Sequence, residues 1–278
     1  MRYSFVPRNC LFAVTILFAV VPALASPKVF AWPNGARAAV SLAYDDALDS
    51  QLDHAIPALN RHGLKGSFYL TLSNPSVAQR LPAWRAAAAQ GHELGNHTLF
   101  HQCAKAGPDR AWVTPENDLL TTSATRLAAQ IRLANIMLFA IDGERERTFT
   151  TPCGDVEAGG VNYLGLVQSD FVAIKTTGEA VTPSMTNIDP YRVGVAAPSE
   201  LSGKQLIAMV VDAGQRGTML NLTFHGIGGD YLTISRQAHD ELLAYLAANR
   251  KLYWTDTFIN IMRHVRRQRP PPASPPSP

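Results

Sequence analysis

Compact apolar runs alternate with stretches of helical spacing from about Ala36 to Arg269. Ala38 to Tyr44 is small and apolar throughout, as a strand buried on both faces should be, and it stops at Asp45-Asp46. Leu52 to His62 has helical spacing and ends at Gly63, a C-cap residue. Lys65 to Leu72 reads as a second strand, Pro82 to Gln90 as a short Ala-rich helix closed by Gly91, and His92 to His97 as a third strand. Thr114 to Ile141 predicts one long helix, with Thr114 as N-cap, Pro115 at the first position, and Glu116 and Asp118 in the first turn. Thr148 to Thr151 is a fourth strand, stopped by Pro152-Cys153-Gly154. Leu164 to Val167 is a short helix, Phe171 to Lys175 and Tyr191 to Val195 are strands, and Thr176 to Pro190 is loop. Gly203 to Arg216 is helical, and Met219 to Phe224 is a buried strand running into a Gly-rich loop from His225. Ser235 caps a helix through Ala248, Leu252 to Trp254 is a last strand, and a final helix covers Asp256 to Arg267.

Strands and helices alternating at this spacing predict an α/β fold with parallel strands. Seven or so such units around one core predict a barrel, with its chemistry at the C-terminal ends of the strands. Asp45, Asp46, His97, Cys153 and His225 all fall just after predicted strands.

Residues 1–25 read as a secretory signal peptide: Arg2 and Arg8, an apolar Leu11 to Val21, and an Ala23-Leu24-Ala25 cleavage site. The rest divides into one domain at 26–269 and a disordered Pro-rich tail at 270–278. Removing Arg2 and Arg8 from the 25 basic residues leaves 23 against 22 acidic ones, so the charge does not argue for nucleic acid. Leu11 to Val21 is too short for a comfortable membrane span, and no other apolar stretch reads as a spanning segment. The expected location is secreted or periplasmic. Cys103 and Cys153 then remain in an oxidising compartment, which favours a disulfide over a zinc site.

Side chains alternate along a strand, so Asp45 and Asp46 should point to different faces and do different jobs. His97 and His101 form an H-x-x-x-H pair. Two imidazoles and one carboxylate make a three-ligand set with open positions, the pattern of a catalytic metal site. A cation there lowers the pKa of bound water and polarises a carbonyl. A second carboxylate outside the ligand set can act as base, and His225, from a separate strand end, as acid.

These residues carry a resemblance to the NodB-homology polysaccharide deacetylases, carbohydrate esterase family 4. Ala43-Tyr44-Asp45-Asp46 is similar to the family's Thr-Phe-Asp-Asp, and His97 to His101 matches His-Ser/Thr-x-x-His. Thr150 to Gly154 matches Arg-x-Pro-Tyr-Gly only at Pro152 and Gly154, and Thr223-Phe224-His225 occupies the Leu-x-His position. The resemblance spans about Ala36 to Ile261. It implies a distorted (β/α)₇ barrel, and Asp46, His97 and His101 as ligands of a divalent metal, most often zinc. It further implies Asp45 as catalytic base, His225 as catalytic acid, and an acetylated oligo- or polysaccharide as substrate, N- or O-linked. Thr150 stands where the family has an arginine that orients the base, with Arg147, Lys175 and Arg192 as possible replacements. The family's Asp-x-x-Asp-Trp pattern has no counterpart, Asp170 and Asp189 being weak candidates. The chain reads as a divergent member. The competing reading is a non-catalytic carbohydrate-binding protein on the same barrel.

Both cysteines fall in loops at one end of such a barrel, so a Cys103–Cys153 disulfide is expected, pinning the metal-binding loop to the loop whose backbone N–H groups would hold an oxyanion. The alternatives are two separate thiols, or Cys153 as a ligand.

Overall fold

The computed structural model describes residues 1–4, 30–106 and 108–268. Most of the expected signal peptide, and the Pro-rich tail, lie outside the described residues.

The hub is β1 (Ala38–Asp45). On one edge it pairs along most of its length with β9 (Met219–Phe224). On the other, β10 (Tyr253–Asp256) takes its first half and β2 (Ser67–Leu70) its last residues. The parallel order continues through β3 (Glu93–Asn96), β4 (Thr148–Thr150), β7 (Ala173–Thr177) and β8 (Val193–Val195). A parallel bridge from Ala196 to Leu222 returns the end of β8 to β9, with Thr223 N donating to Ala196 O at 3.0 Å. Seven strands thus close into a barrel, and β10 is an extra strand wedged at its base. A separate hairpin, β5 (Glu157–Ala158) and β6 (Val161–Asn162), was not anticipated.

Strand alternation sorts the side chains into two layers. Val40, Leu42, Tyr44, Phe68, Leu70, Leu220, Leu222 and Phe224 face outward into an apolar layer. Helices α1 (Ile56–Arg61), α3 (Leu81–Ala89), α6 (Gly203–Arg216) and α7 (Arg236–Ala248) supply the other side of that layer. Phe149 and Ile174 pack outward against α4 (Ala124–Asp142) and α5 (Leu164–Val167). The opposite parity faces inward: Ala39, Ala43, Tyr69, Ala173 and Met219.

That interior is partly polar. The Glu93 carboxylate accepts from Ser67 Oγ at 2.6 Å, from Thr148 Oγ1, and from the backbone N of Ile259 at 3.0 Å. The last bond serves an N–H in the first turn of α8 (Phe258–Gln268), which has no partner within its helix. Lys175 is fully buried, its Nζ 4.9 Å from the Tyr69 ring centroid and 4.6 Å from that of Phe258.

Several elements differ from their sequence expectation. The long helix does not begin at Thr114. Pro115–Asn117 forms one 3₁₀ turn, and Asp118 then turns its carboxylate onto the backbone N–H groups of Lys105 and Leu120, both at 2.9 Å. Such side chain to backbone bonds compete with helix formation. Helix α4 starts only after Ser123, whose Oγ accepts from Arg126 N. A short α2 (Pro75–Gln79), capped by Asn74, was missed, and Gln51–Ala55 is a π-turn leading into α1. β10 runs on to Asp256, so the last helix begins at Phe258.

Two core histidines give a pH signature. Burial lowers the His239 pKa to about 4, and its Nε2 lies 2.7 Å from the Tyr44 hydroxyl. Burial, followed by the charge of Lys65, likewise lowers His92 to about 4. A ring whose folded pKa lies below its unfolded value of about 6.5 contributes fully above that pH, and the contribution is lost as pH falls towards 4. Each ring should add about 1.4 kcal/mol per pH unit to the slope of stability across that window. His239→Gln should flatten the slope by that amount in urea titrations at pH 7, 6 and 5. An unchanged slope would mean that the ring is not held neutral.

Candidate active site

The strand C-termini converge on one rim. Asp45 ends β1 with its side chain on the inward parity. Asp46 does not continue the alternation. It adopts φ 79° and Ala47 adopts φ 61°, left-handed conformations that cost a non-glycine residue energy. The turn swings the Asp46 carboxylate back towards Asp45, so the two acids share one site instead of facing opposite ways. The turn is fixed by Asp46 N donating to Tyr69 O at 3.0 Å and Asn74 Nδ2 donating to Asp46 O at 2.9 Å.

His97 follows β3 and is buried. Its Nδ1 lies 2.8 Å from the Thr150 carbonyl, which can only accept, so Nδ1 carries the proton. Nε2 then faces Asp46 Oδ1 at 3.2 Å. The loop to His101 is a tight turn, with Thr98 at φ 67° and His101 at φ 49°. Thr98 N donates to Asn96 Oδ1, and His101 N to Thr98 Oγ1. His101 Nε2 reaches the same Asp46 Oδ1 at 3.2 Å. The three potential ligand atoms lie within 4.8 Å of one another. Because Nδ1 of His97 already carries the proton, its Nε2 contact with Asp46 needs a positive charge between the atoms, either an imidazolium proton or a cation. Two borderline nitrogens and one carboxylate oxygen converging at a rim fit a divalent metal cation.

The electrostatics agree. Burial alone would raise the Asp46 pKa, but the close approach of His101 and His97 outweighs it and holds the group well below the usual carboxylate range. Burial would lower His97, but the charges of Asp45 and Asp46 outweigh it and raise the ring to about 9. Burial raises Asp45, opposed by His97, His225 and Lys175. Asp45 Oδ2 is 3.8 Å from His97 Nε2, and Oδ1 has no hydrogen-bond partner. His225 follows β9, with Nε2 3.6 Å from Asp46 Oδ2 and a buried Nδ1 that has no hydrogen-bond partner.

The five residues singled out from sequence therefore meet. Of the three basic candidates, Arg147 pairs with Asp142, Arg192 is exposed beside Asp189, and Lys175 alone lies inside the barrel, where it feels Asp45 and Glu93. Burial lowers the Lys175 pKa to about 8 against those two charges. Asp170 and Asp189 engage Arg132 and Arg192 at the surface instead of supporting His225. The sequence reading missed Tyr231, whose hydroxyl donates to Asp46 Oδ2 at 2.7 Å. Its one signal was an aromatic residue closing the Gly-rich run after His225.

Cys103 and Cys153 form a disulfide, Cα to Cα 5.9 Å, so neither is a free thiolate ligand. The N–H groups of Gly154 and Asp155 bond back to Thr151 O and Pro152 O, so these two do not face an incoming oxyanion. The cavity over the site holds about 840 Å³ and is lined by all five residues, Trp112 and Tyr231. Trp112 is 56% exposed, with its ring 6.2 Å from that of His101. Trp84 is fully buried in the core, and Trp254 packs near Trp32 and His264.

Residues 33–166 match the family described as polysaccharide deacetylase. A structure from Mycobacterium smegmatis superposes with TM-score 0.65 over 91% of this chain and 99% of that one, at 14% identity. Over residues 33–166, a little under half of its length, this chain is similar to the polysaccharide deacetylase family. The structures that share its barrel do so at low identity. A mutant of a carbohydrate esterase family 4 pseudoenzyme shares the fold with TM-score 0.52, 17% identity, and coverage of 85% and 71%. A gellan lyase of Bacillus sp is 26% identical over 127 residues, 46% of this chain, and the match spans only 4% of that protein.

Within this site the disulfide closes a loop with a sequence separation of 50. Its loss in the Cys103→Ala/Cys153→Ala double variant should lower unfolding stability by on the order of 4 kcal/mol. Denaturant titration of oxidised wild type against the variant measures this. A midpoint shift near zero would show that the cross-link does not constrain the unfolded chain.

Proposed function

We propose that the protein is a metal-dependent hydrolase that removes acetyl groups from an acetylated carbohydrate, acting in a secreted or periplasmic setting. The observation that carries this reading is Asp46 Oδ1 at 3.2 Å from both His97 and His101, with Asp45 and His225 around the same cavity. Asp46, His97 and His101 would hold the cation, zinc by donor type. When bound, it would supply Lewis acidity towards water and the acetyl carbonyl.

Asp45 is the base. It takes the proton of the attacking water while the new C–O bond forms. His225 is the acid, giving a proton to the departing sugar nitrogen or oxygen as the bond to the acetyl carbon breaks. The products are acetate and a free amine or hydroxyl. The exposed Trp112 ring offers the apolar face of a sugar a stacking surface at the cavity mouth. The second reading is a non-catalytic carbohydrate-binding protein. Its support is Thr150 in place of the family's arginine and a fold shared with a pseudoenzyme. Retention of both aspartates and all three histidines favours catalysis.

Acetate release from N- and O-acetylated oligosaccharides, with and without chelator, tests the proposal, and no release from any of them would leave the binding reading. His97→Ala and His101→Ala should lose bound metal and turnover together. A variant that keeps stoichiometric metal would remove that residue from the ligand set.

Asp45→Asn should keep the metal and lose roughly 10²-fold or more in rate. Asp45 must be ionised to act, and burial raises its pKa. The acidic limb of kcat/KM against pH should therefore lie above the ordinary carboxylate value of about 3.9, with activity lost as pH falls through it. His225→Ala should hurt poor leaving groups more than activated aryl esters. Equal losses on both would argue against an acid at that position.

A further inference from the structure

The loop after β9 is built to deliver one hydroxyl. Asp230 at φ 59° and Leu232 at φ 46° bracket Tyr231, two left-handed non-glycine residues in three positions. The loop folds on itself: Gly226 N donates to Tyr231 O at 3.1 Å, Ile234 N to Gly226 O at 3.0 Å, and Gly228 N to Ile234 O at 2.8 Å. Ser50 ties it to the β1 side of the barrel, its N donating to Asp230 Oδ2 and its Oγ accepting from Ile227 N, both at 3.0 Å. A Cβ on Gly226 would meet Gly229 O at 1.9 Å, so the fold-back requires glycine there.

The outcome is the 2.7 Å bond from Tyr231 to Asp46 Oδ2. The other oxygen, Oδ1, is the one that faces both His97 and His101. A carboxylate is free to rotate about its Cβ–Cγ bond unless something holds one oxygen, and the partners that orient a metal ligand tune its affinity.

We propose that Tyr231 is a positioning residue for the cation site: its hydroxyl occupies Asp46 Oδ2 and leaves Oδ1 as the single oxygen offered to a metal held with His97 and His101. The inference rests on the ligand set proposed above. Tyr231 is 54% exposed, so its hydroxyl can be removed without opening the core.

The test is Zn²⁺ affinity of the full mature chain, measured by competition with a chromophoric chelator, alongside the melting temperature of the metal-free protein. Tyr231→Phe should weaken Zn²⁺ binding by about 10- to 100-fold and leave the metal-free melting temperature unchanged. Ala197→Ser, exposed at the same cavity and without a bond to Asp46, should bind Zn²⁺ as wild type does. Wild-type affinity in Tyr231→Phe overturns the inference while leaving the ligand set standing. So does a fall in melting temperature with no change in affinity. If wild type binds no Zn²⁺, the ligand set fails, and the inference fails with it.

Discussion

Closure of the sheet around β1 is the constraint on which the rest depends. Parallel strands in a ring bring all their C-terminal ends to one rim, whatever the distance between them in sequence. Asp45 and Asp46 leave β1 there, His97 leaves β3, Thr150 leaves β4 and His225 leaves β9. The closing contact is thin: one parallel bridge between Ala196 and Leu222, supported by Ala180 O and Thr182 N bonding the β9 backbone. Because β1 is flanked on both edges, its backbone polar groups are satisfied by neighbours, and it can be buried along its whole length.

The barrel interior is unusual in carrying charge. Glu93 lies towards the α8 end and is satisfied by two hydroxyls and a helix N-terminus. Asp45 lies at the rim, and Lys175 feels both. Buried charges are tolerated when they are compensated. Here Lys175 Nζ has no hydrogen-bond or ion-pair partner among the described residues; the faces of the Tyr69 and Phe258 rings lie against it, and the charges of Asp45 and Glu93 only partly offset its burial. The rim chemistry is thus coupled to the packing beneath it.

Strain is concentrated at the rim. Asp46, Ala47, Thr98, His101, Cys153, Asp230 and Leu232 all have positive φ, and all lie in the loops that make or flank the site. Short polar bonds and the Cys103–Cys153 link hold these loops in place. Seen this way, the disulfide ties the turn after His101 to the turn after β4, whose Thr150 carbonyl sets the His97 tautomer.

Much of this was legible in the sequence because its causes are local. The apolar run of β9 and the Ser235 cap of α7 fix those elements within a residue or two, since side-chain periodicity and capping act over a few positions. Asp45, Asp46, His97, His101 and His225 stood out because each follows a strand, and one parallel barrel has one functional rim. The tertiary structure decided what depends on distant partners. Alternation placed Asp45 and Asp46 on opposite faces, but a left-handed turn bonded to Tyr69 and Asn74 put them together. Helical propensity ran the long helix back to Thr114, but Asp118 spent its carboxylate on Lys105 and Leu120. Tyr231 carries no periodic signal at all. Its role exists only because a Gly-rich loop folds back across 185 positions of sequence to reach Asp46, and such a contact is set by chain closure, not by neighbouring residues.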